Sequence, residues 1–418
     1  MKNKEDETMT TYEGEPLNIL HTIGLDILYP VVRGEISFDK RLDRSRFENA
    51  LKSVTRVVPE IMCRYEMSNN SFEQITDNVS DLIRDNVKQP DLDAKKWDLM
   101  KDPQVRIYWE DNEEKTRLII YISHILTDGA GSKQLLYLIA NAYSNGDAAL
   151  DGVKNHQEID WLEKLVSQHQ MTPSKQTDHP SEPLLLPHLD TDGSRDYHVG
   201  SVELSKDETN RLIEATHLTN TTVNDVVMTA FSRVIQRFAG INSISMACPT
   251  DMRKFGPTVD GVQVANFTSR YNLSIDTPLS EPFGELVARV HTEMNEHKKQ
   301  YQCFDSIKGL LENYQTQPLA ELQQVVQDNY HVREIAYTNF GIIDQNKLVF
   351  DGVKITQVVM TGGFRTAPMY QIATATYDDQ LSLAFNMVGT NGEMIFGMAI
   401  ARNVADLINN FALSALEK

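Results

Sequence analysis

The stretch Ile119-Ile-Tyr-Ile-Ser-His124-Ile-Leu-Thr-Asp128-Gly129-Ala-Gly-Ser decides how the chain is read. Leu118 to Ile122 is a run of aliphatic, mostly β-branched and aromatic residues, the composition of a buried strand. Gly129 to Tyr143 predicts a helix with Leu135, Leu136, Leu138 and Ile139 on its inner side. His124 therefore falls at a strand-to-helix corner. There a strand end holds the imidazole while one ring nitrogen faces a cavity, the arrangement a general base of near-neutral pKa requires. Asp128 can turn back on the same loop through backbone hydrogen bonds or an arginine partner, and Gly129 relieves the turn. A histidine beside an apolar strand is more often a hydrogen-bonded core residue, so the corner gains meaning only from what flanks it.

Working outward, Gln104 to Glu110 and Thr116 to Ser123 read as a hairpin around Asn112-Glu-Glu-Lys that leads into the corner. Upstream, residues 1–16 read as a tail, and Asp26 to Ser37 as a strand interrupted by Pro30, suggesting an edge or a bulge. Phe47, Leu51 and Val54 recur at helical spacing after Asp43, with Pro59 as the stop, and Ile61 to Met67 is strand-like. Downstream, a helix from Ile159 to His169 gives way to a polar stretch with Pro173, Pro180, Pro183 and Pro187, which reads as a surface linker. The expected organisation is an N-terminal subdomain over 17–169, a linker over 170–196 and a C-terminal subdomain over 197–418.

The second half repeats the rhythm. A strand over 197–205 and a helix over 206–216 precede Thr222, an N-cap for a helix whose stripe is Val226, Ala230, Val234 and Phe238. A strand, Ser243 to Cys248, leads into Pro249-Thr-Asp251-Met-Arg253. An arginine beside a buried carboxylate makes a planar charged pair that lysine cannot copy, and either Asp251 or Asp128 can be the partner. Val264-Ala-Asn266-Phe-Thr268-Ser follows. Helix 281–302 reads as core or interface, Ile335-Ala-Tyr-Thr-Asn339-Phe-Gly341-Ile as a strand end, and two closing strands precede a helix from Met394 to Leu416.

Composition removes several function classes. With 59 acidic against 40 basic residues the net charge is −19, and no arginine-rich stripe appears, so neither nucleic acid nor an anionic membrane surface is an expected partner. No apolar run reaches spanning length and the first residues are charged, so no membrane span is expected and the cytoplasm is the default location. Cys63, Cys248 and Cys303 are widely spaced and read as buried thiols. The 11 histidines show no metal-ligand spacing, and no metal is expected.

Four of these segments, in this order, resemble the chloramphenicol acetyltransferase-like superfamily, which includes peptide-synthetase condensation domains, plant acyltransferases, polyketide-associated acyltransferases and stand-alone alcohol acetyltransferases. His124 to Gly129 resembles the His-x-x-x-Asp-Gly signature, Pro249 to Arg253 the Pro-x-Asp-Leu-Arg segment, and Asn266 to Ser269 the Gly-Asn-x-x-Ser segment, with Ala265 replacing the glycine. Asn339 to Gly341 resembles Ser-Asn-Phe/Leu-Gly. The Asp-Phe-Gly-Trp-Gly of the plant enzymes is missing, and Ser123 stands where condensation domains carry a first histidine, which tilts the reading toward stand-alone acyltransferases.

The resemblance implies an α/β (α+β) fold of two subdomains, each a mixed sheet with flanking helices, and a tunnel between them. It implies His124 as the base that deprotonates an alcohol or amine attacking an acyl thioester, with Asp128, Gly129, Asp251 and Arg253 as structural members of the motif. Asn266, Thr268, Asn339 and Gly341 are the implied tunnel residues, with Phe267, Met360 and Tyr370 as further candidates for its walls. No cofactor is implied beyond the thioester co-substrate, acyl-CoA or an acyl carrier protein. A carrier would need a basic docking face, for which Lys40-Arg41, Arg44, Arg46 and Lys298-Lys299 are the candidates; the acidic surface favours acyl-CoA. Two rival readings are a non-catalytic binding protein of the same fold and a thioesterase using His124 with water. No Gly-x-Ser-x-Gly supports a serine nucleophile.

Overall fold

The computed structural model describes residues 10–172, 182–328 and 332–417. Its central sheet, five-stranded among the described residues, runs in the order Ile355–Thr361, Val31–Phe38, Thr116–Ser123, Val105–Asp111, Ile83–Asp85. Only the last pair is parallel. Thr116–Ser123 is an interior strand whose side chains are buried on both faces from Leu118 to Ser123, which explains why its sequence is a continuous apolar run rather than an alternation. The expected hairpin is present, with Val105 opposite Ile122. Helices Arg44–Thr55, N-capped by Asp43, and Gly129–Asn145 pack on this sheet and on each other.

The second sheet pairs Ile335–Ile342, Tyr370–Tyr377, Gln380–Gly389 and Arg365–Thr366 in that order, with Asp196–Glu203 also on Gln380–Gly389. It too is mixed: Ile335–Ile342 and Tyr370–Tyr377 run parallel, Tyr370–Tyr377 and Gln380–Gly389 antiparallel. The helices Lys206–Leu218, Val223–Ala239, Phe283–Lys299 and Asn391–Leu416 share its core with an antiparallel ribbon of Ser243–Asp251 and Thr268–Asp276. The architecture is thus α/β, two mixed sheets each with its own hydrophobic core and flanking helices.

Three expectations are corrected. The chain does not divide cleanly at 170–196: Ile355–Thr361 pairs with Val31–Phe38 in the N-terminal sheet, while Leu17, Ile19, Leu162 and Val166 lie in the C-terminal core. The exchange covers Val31–Phe38, which would otherwise expose a row of unpaired backbone groups, and makes Ile355–Thr361 the edge strand. Residues 1–16 are not wholly a tail. Thr11–Glu13 pairs with Ser71–Gln74 and Pro16–His21 forms a 3₁₀ turn, whereas residues 1–9, like 173–181 of the linker, lie outside the described residues. Pro30, finally, does not interrupt a strand or mark an edge. It precedes Val31–Phe38, and its carbonyl accepts the His124 N–H at 2.8 Å.

Candidate functional site

His124 follows the last residue of its strand, and the loop behind it is gripped from the other half of the molecule. Asn266 Nδ2 donates to the carbonyls of His124 and Ile125, at 2.9 and 2.7 Å. The His124 residue keeps partial exposure, yet its Nδ1 is sealed from solvent without a hydrogen-bond partner. Burial lowers the pKa of the ring below 6.5, while its own backbone, the Asp128 charge and the Asn266 amide pull the other way. An imidazole held neutral at pH 7 is the form that accepts a proton.

Asp128 does not touch His124 through a hydrogen bond; it is the N-cap of Gly129–Asn145 and the knot between the halves. Oδ1 accepts the Gly131 N–H at 2.8 Å, and Oδ2 accepts the Phe267 N–H at 2.7 Å and Arg253 Nη1 at 2.9 Å. Burial would raise its pKa, but the Arg253 charge and these hydrogen bonds outweigh it and the net shift is downward. Both aspartates left open by the sequence prove to be partners, because Arg253 Nη1 also reaches Asp251 Oδ1 at 2.9 Å. Nη2 donates to the carbonyls of Gln263 and Ala265, and the guanidinium lies over the Phe267 ring. Arg253 is therefore a buried clasp with four acceptors, a role the fork geometry of guanidinium suits.

Gly129 begins its helix hard against Phe340: a Cβ there would stand 2.8 Å from the ring. Lys133 donates to the carbonyls of Phe340 and Ile342, so the segment around Asn339 and Gly341 is drawn to the same helix. Asn339 is exposed; its Nδ2 donates to Asn224 Oδ1 at 3.0 Å and its Oδ1 accepts the N–H of Gly341, which adopts φ of 68° at a bulge in the strand pairing. The structure thus joins His124, Asp128, Gly129, Asp251, Arg253 and Asn266 directly, and Asn339 and Gly341 through Phe340. Thr268 lies half-buried at the first position of Thr268–Asp276, opposite Asp251, rather than in this hydrogen-bonded group.

Other expectations fail on burial and pairing. Phe267, Met360 and Tyr370 are at most 1% exposed, so they are core rather than walls of an open passage; Phe267 packs beneath Arg253 and on Trp161, and Tyr370 donates to the Gly397 carbonyl. A cavity of about 110 Å³ is bounded by Leu184, Leu185, Ser245 and Ile335 and includes none of the site residues. Arg41, Arg44 and Arg46 are ion-paired with Asp111, with Glu48 and Asp85, and with Asp351, which cancels the basic face expected there. Sequence reading passed over one residue at the centre: the His21 ring stacks on His124, centroids 4.0 Å apart and planes 21° apart. Its only signal was a histidine in an apolar 3₁₀ turn.

No curated protein matches the sequence. Among solved structures, polyketide synthase associated protein 5 from Mycobacterium tuberculosis superposes with a TM-score of 0.65 at 12% identity, over 96% of this chain and 97% of that one. The condensation domain of the Monacolin K polyketide synthase MokA gives 0.65 at 12%, over 97% and 98%. TRI3 trichothecene 15-O-acetyltransferase from Fusarium sporotrichioides gives 0.64 at 10%, over 96% of each chain. At these identities the likeness shows the fold. The Condensation domain family matches residues 31–356, from the first strand of the central sheet into its edge strand, and the chain belongs to that family.

Proposed function

We propose that this protein is an acyltransferase that moves an acyl group from a thioester to an alcohol or amine, with His124 as the general base. The observation that carries the reading is a histidine held at a strand end by the Asn266 clamp, in a residue that keeps partial exposure, while the motif aspartate is fully engaged elsewhere. The acceptor's O–H or N–H gives its proton to His124 as the heteroatom attacks the thioester carbonyl. The C–S bond then breaks and the leaving thiolate takes the proton back. General-base action supplies about 10²- to 10⁴-fold, and holding both substrates at the seam between the halves adds orientation. Nδ1 is sealed, so Nε2 is the nitrogen assigned to the transfer.

Acyl-CoA is the proposed donor, with a carrier-bound thioester as the alternative, in keeping with the family. Among the described residues no helix is long and apolar enough to cross a membrane, and a soluble thioester and a small acceptor suit such a chain. The test is thiol release from acetyl-, malonyl- and medium-chain acyl-CoA with a panel of alcohols and amines, in wild type and His124→Ala. Release that depends on the acceptor and falls at least about a hundredfold in the variant supports the reading. Release without acceptor makes the protein a thioesterase. No release from free or carrier-bound thioesters returns it to a binding role.

A further inference from the structure

The stack of His21 on His124 joins two elements of different origin. His124 directly follows a strand of the N-terminal sheet, whereas His21 ends the turn Pro16–His21, whose Leu17 and Ile19 are wholly buried in the C-terminal core. The turn is fastened to the loop behind His124, since Asn18 Nδ2 donates to the Ile125 carbonyl at 2.5 Å, beside the Asn266 amide that takes the same oxygen. Asn18 Oδ1 in turn accepts the Glu15 N–H at 2.8 Å, which closes the turn on itself. The residue before His124 offers no such support: Ser123 is buried, and its Oγ accepts the Ile125 N–H. Nδ1 of His124 has no hydrogen-bond partner, and the face-to-face contact with His21 lies against the plane of the ring.

We propose that His21 is a positioning residue for the His124 base: its neutral ring fixes the plane in which the His124 imidazole meets the acceptor, and then lies against the imidazolium once the proton has been taken. The catalytic half rests on the acyl-transfer reading above; the positioning half does not. The charged groups around the pair assign the order of protonation. Asp128 faces His124 from the motif loop and is itself tied to Arg253, while Arg270 on Thr268–Asp276 faces His21. Burial, a charged His124 and Arg270 all oppose a proton on His21. His124 therefore charges first, and a cation over a neutral π face is an attractive pairing.

The experiment records imidazole ¹⁵N and ¹³C resonances of the full chain through a pH titration, in wild type, His21→Phe and His21→Ala, with His124→Ala for assignment. His124 is expected to titrate before His21. The His124 ring signals should shift in His21→Ala as the stacked ring is lost, and stay near wild type in His21→Phe, which keeps an aromatic face. Turnover of the best thioester and acceptor pair should fall about tenfold in kcat with KM unchanged for His21→Ala, the rate equivalent of one aromatic contact, and recover in His21→Phe. Equal melting of the two variants separates this from a folding defect. If His124 resonances and titration do not change in His21→Ala, or if His21→Phe is as impaired as His21→Ala, the proposal is overturned. If wild type transfers no acyl group, the acyl-transfer reading and the catalytic half fall together, and the resonances alone decide the positioning half.

Discussion

Asp128 Oδ2 and Arg253 Nη1, 125 residues apart in the chain, meet at 2.9 Å in a site where the carboxylate has no exposed surface. The same oxygen holds the Phe267 N–H, so one carboxylate carries the helix start and the junction between the halves. Removing one member strands a buried charge, which costs about 3–5 kcal/mol. Arg253→Ala strands the wholly buried Asp128 carboxylate and is expected to lower the unfolding free energy by about that amount, whereas Asp128→Ala leaves Arg253 its Asp251 partner and should cost less. Arg253→Lys should keep the charge but lose most of the four-acceptor geometry. Guanidinium titrations monitored by fluorescence check both.

The pH dependence follows from the lowered pKa of His124. A base must be neutral to act, so kcat/KM should be flat across neutral pH and decline only as pH falls below 6.5. For stability, the unfolded chain binds protons on His21 and His124 that the folded chain resists. Their contribution is therefore present above pH 6.5 and lost as pH falls toward the depressed folded values. His124→Gln should flatten part of the stability slope below pH 6.5, and an unchanged slope would contradict the assignment.

Gly129 is required by contact rather than by backbone conformation. A methyl group there would meet the Phe340 ring at 2.8 Å, and overpacking of this kind costs about 1–3 kcal/mol. Gly129→Ala should lower the melting temperature, and Gly129→Ala with Phe340→Leu should recover part of the loss. Additive losses in the double variant would show that the two sites do not communicate.

Glu15, beside the turn that carries His21, has its pKa raised to about 7, chiefly by burial and then by Asp160, Glu163, Glu158 and Glu13. Its folded value lies above the unfolded 4.5, so its contribution is complete below pH 4.5 and lost as pH rises through 7. Glu15→Gln should therefore stabilise the protein at pH 8 by on the order of 1–2 kcal/mol, after allowance for solvent screening, and have little effect at pH 4.5. Paired thermal melts at the two pH values provide the comparison.

Asn266 offers a test of the clamp that leaves the His124 side chain in place. Asn266→Ala takes the side-chain donor from the His124 carbonyl, while the Ile125 carbonyl keeps Asn18, a cost of about 1–3 kcal/mol for a buried group. Activity should fall about tenfold or more while the His124→Ala baseline is not reached. Hydrogen exchange across residues 124–128 should accelerate in the variant.

The local elements were legible from residues 104 to 145, because hydrophobic period, the Asp128 cap and the turn residues all point the same way over short range. The histidine corner, its aspartate and the downstream Asp-x-Arg segment were legible as a resemblance, since a motif preserves order along the chain. Tertiary structure decided what order cannot encode. Ile355–Thr361 joins a sheet more than 230 residues upstream because the free backbone groups of Val31–Phe38 can pair with any strand that folding brings beside them. Arg253 takes both aspartates because folding brings Asp128 to it. Phe267 and Tyr370 are core, not channel walls, because burial depends on tertiary neighbours distant in sequence, such as Trp161 for Phe267 and Phe231 for Tyr370. His21 meets His124 across 103 residues with no spacing to announce it, a contact made only when the two cores dock.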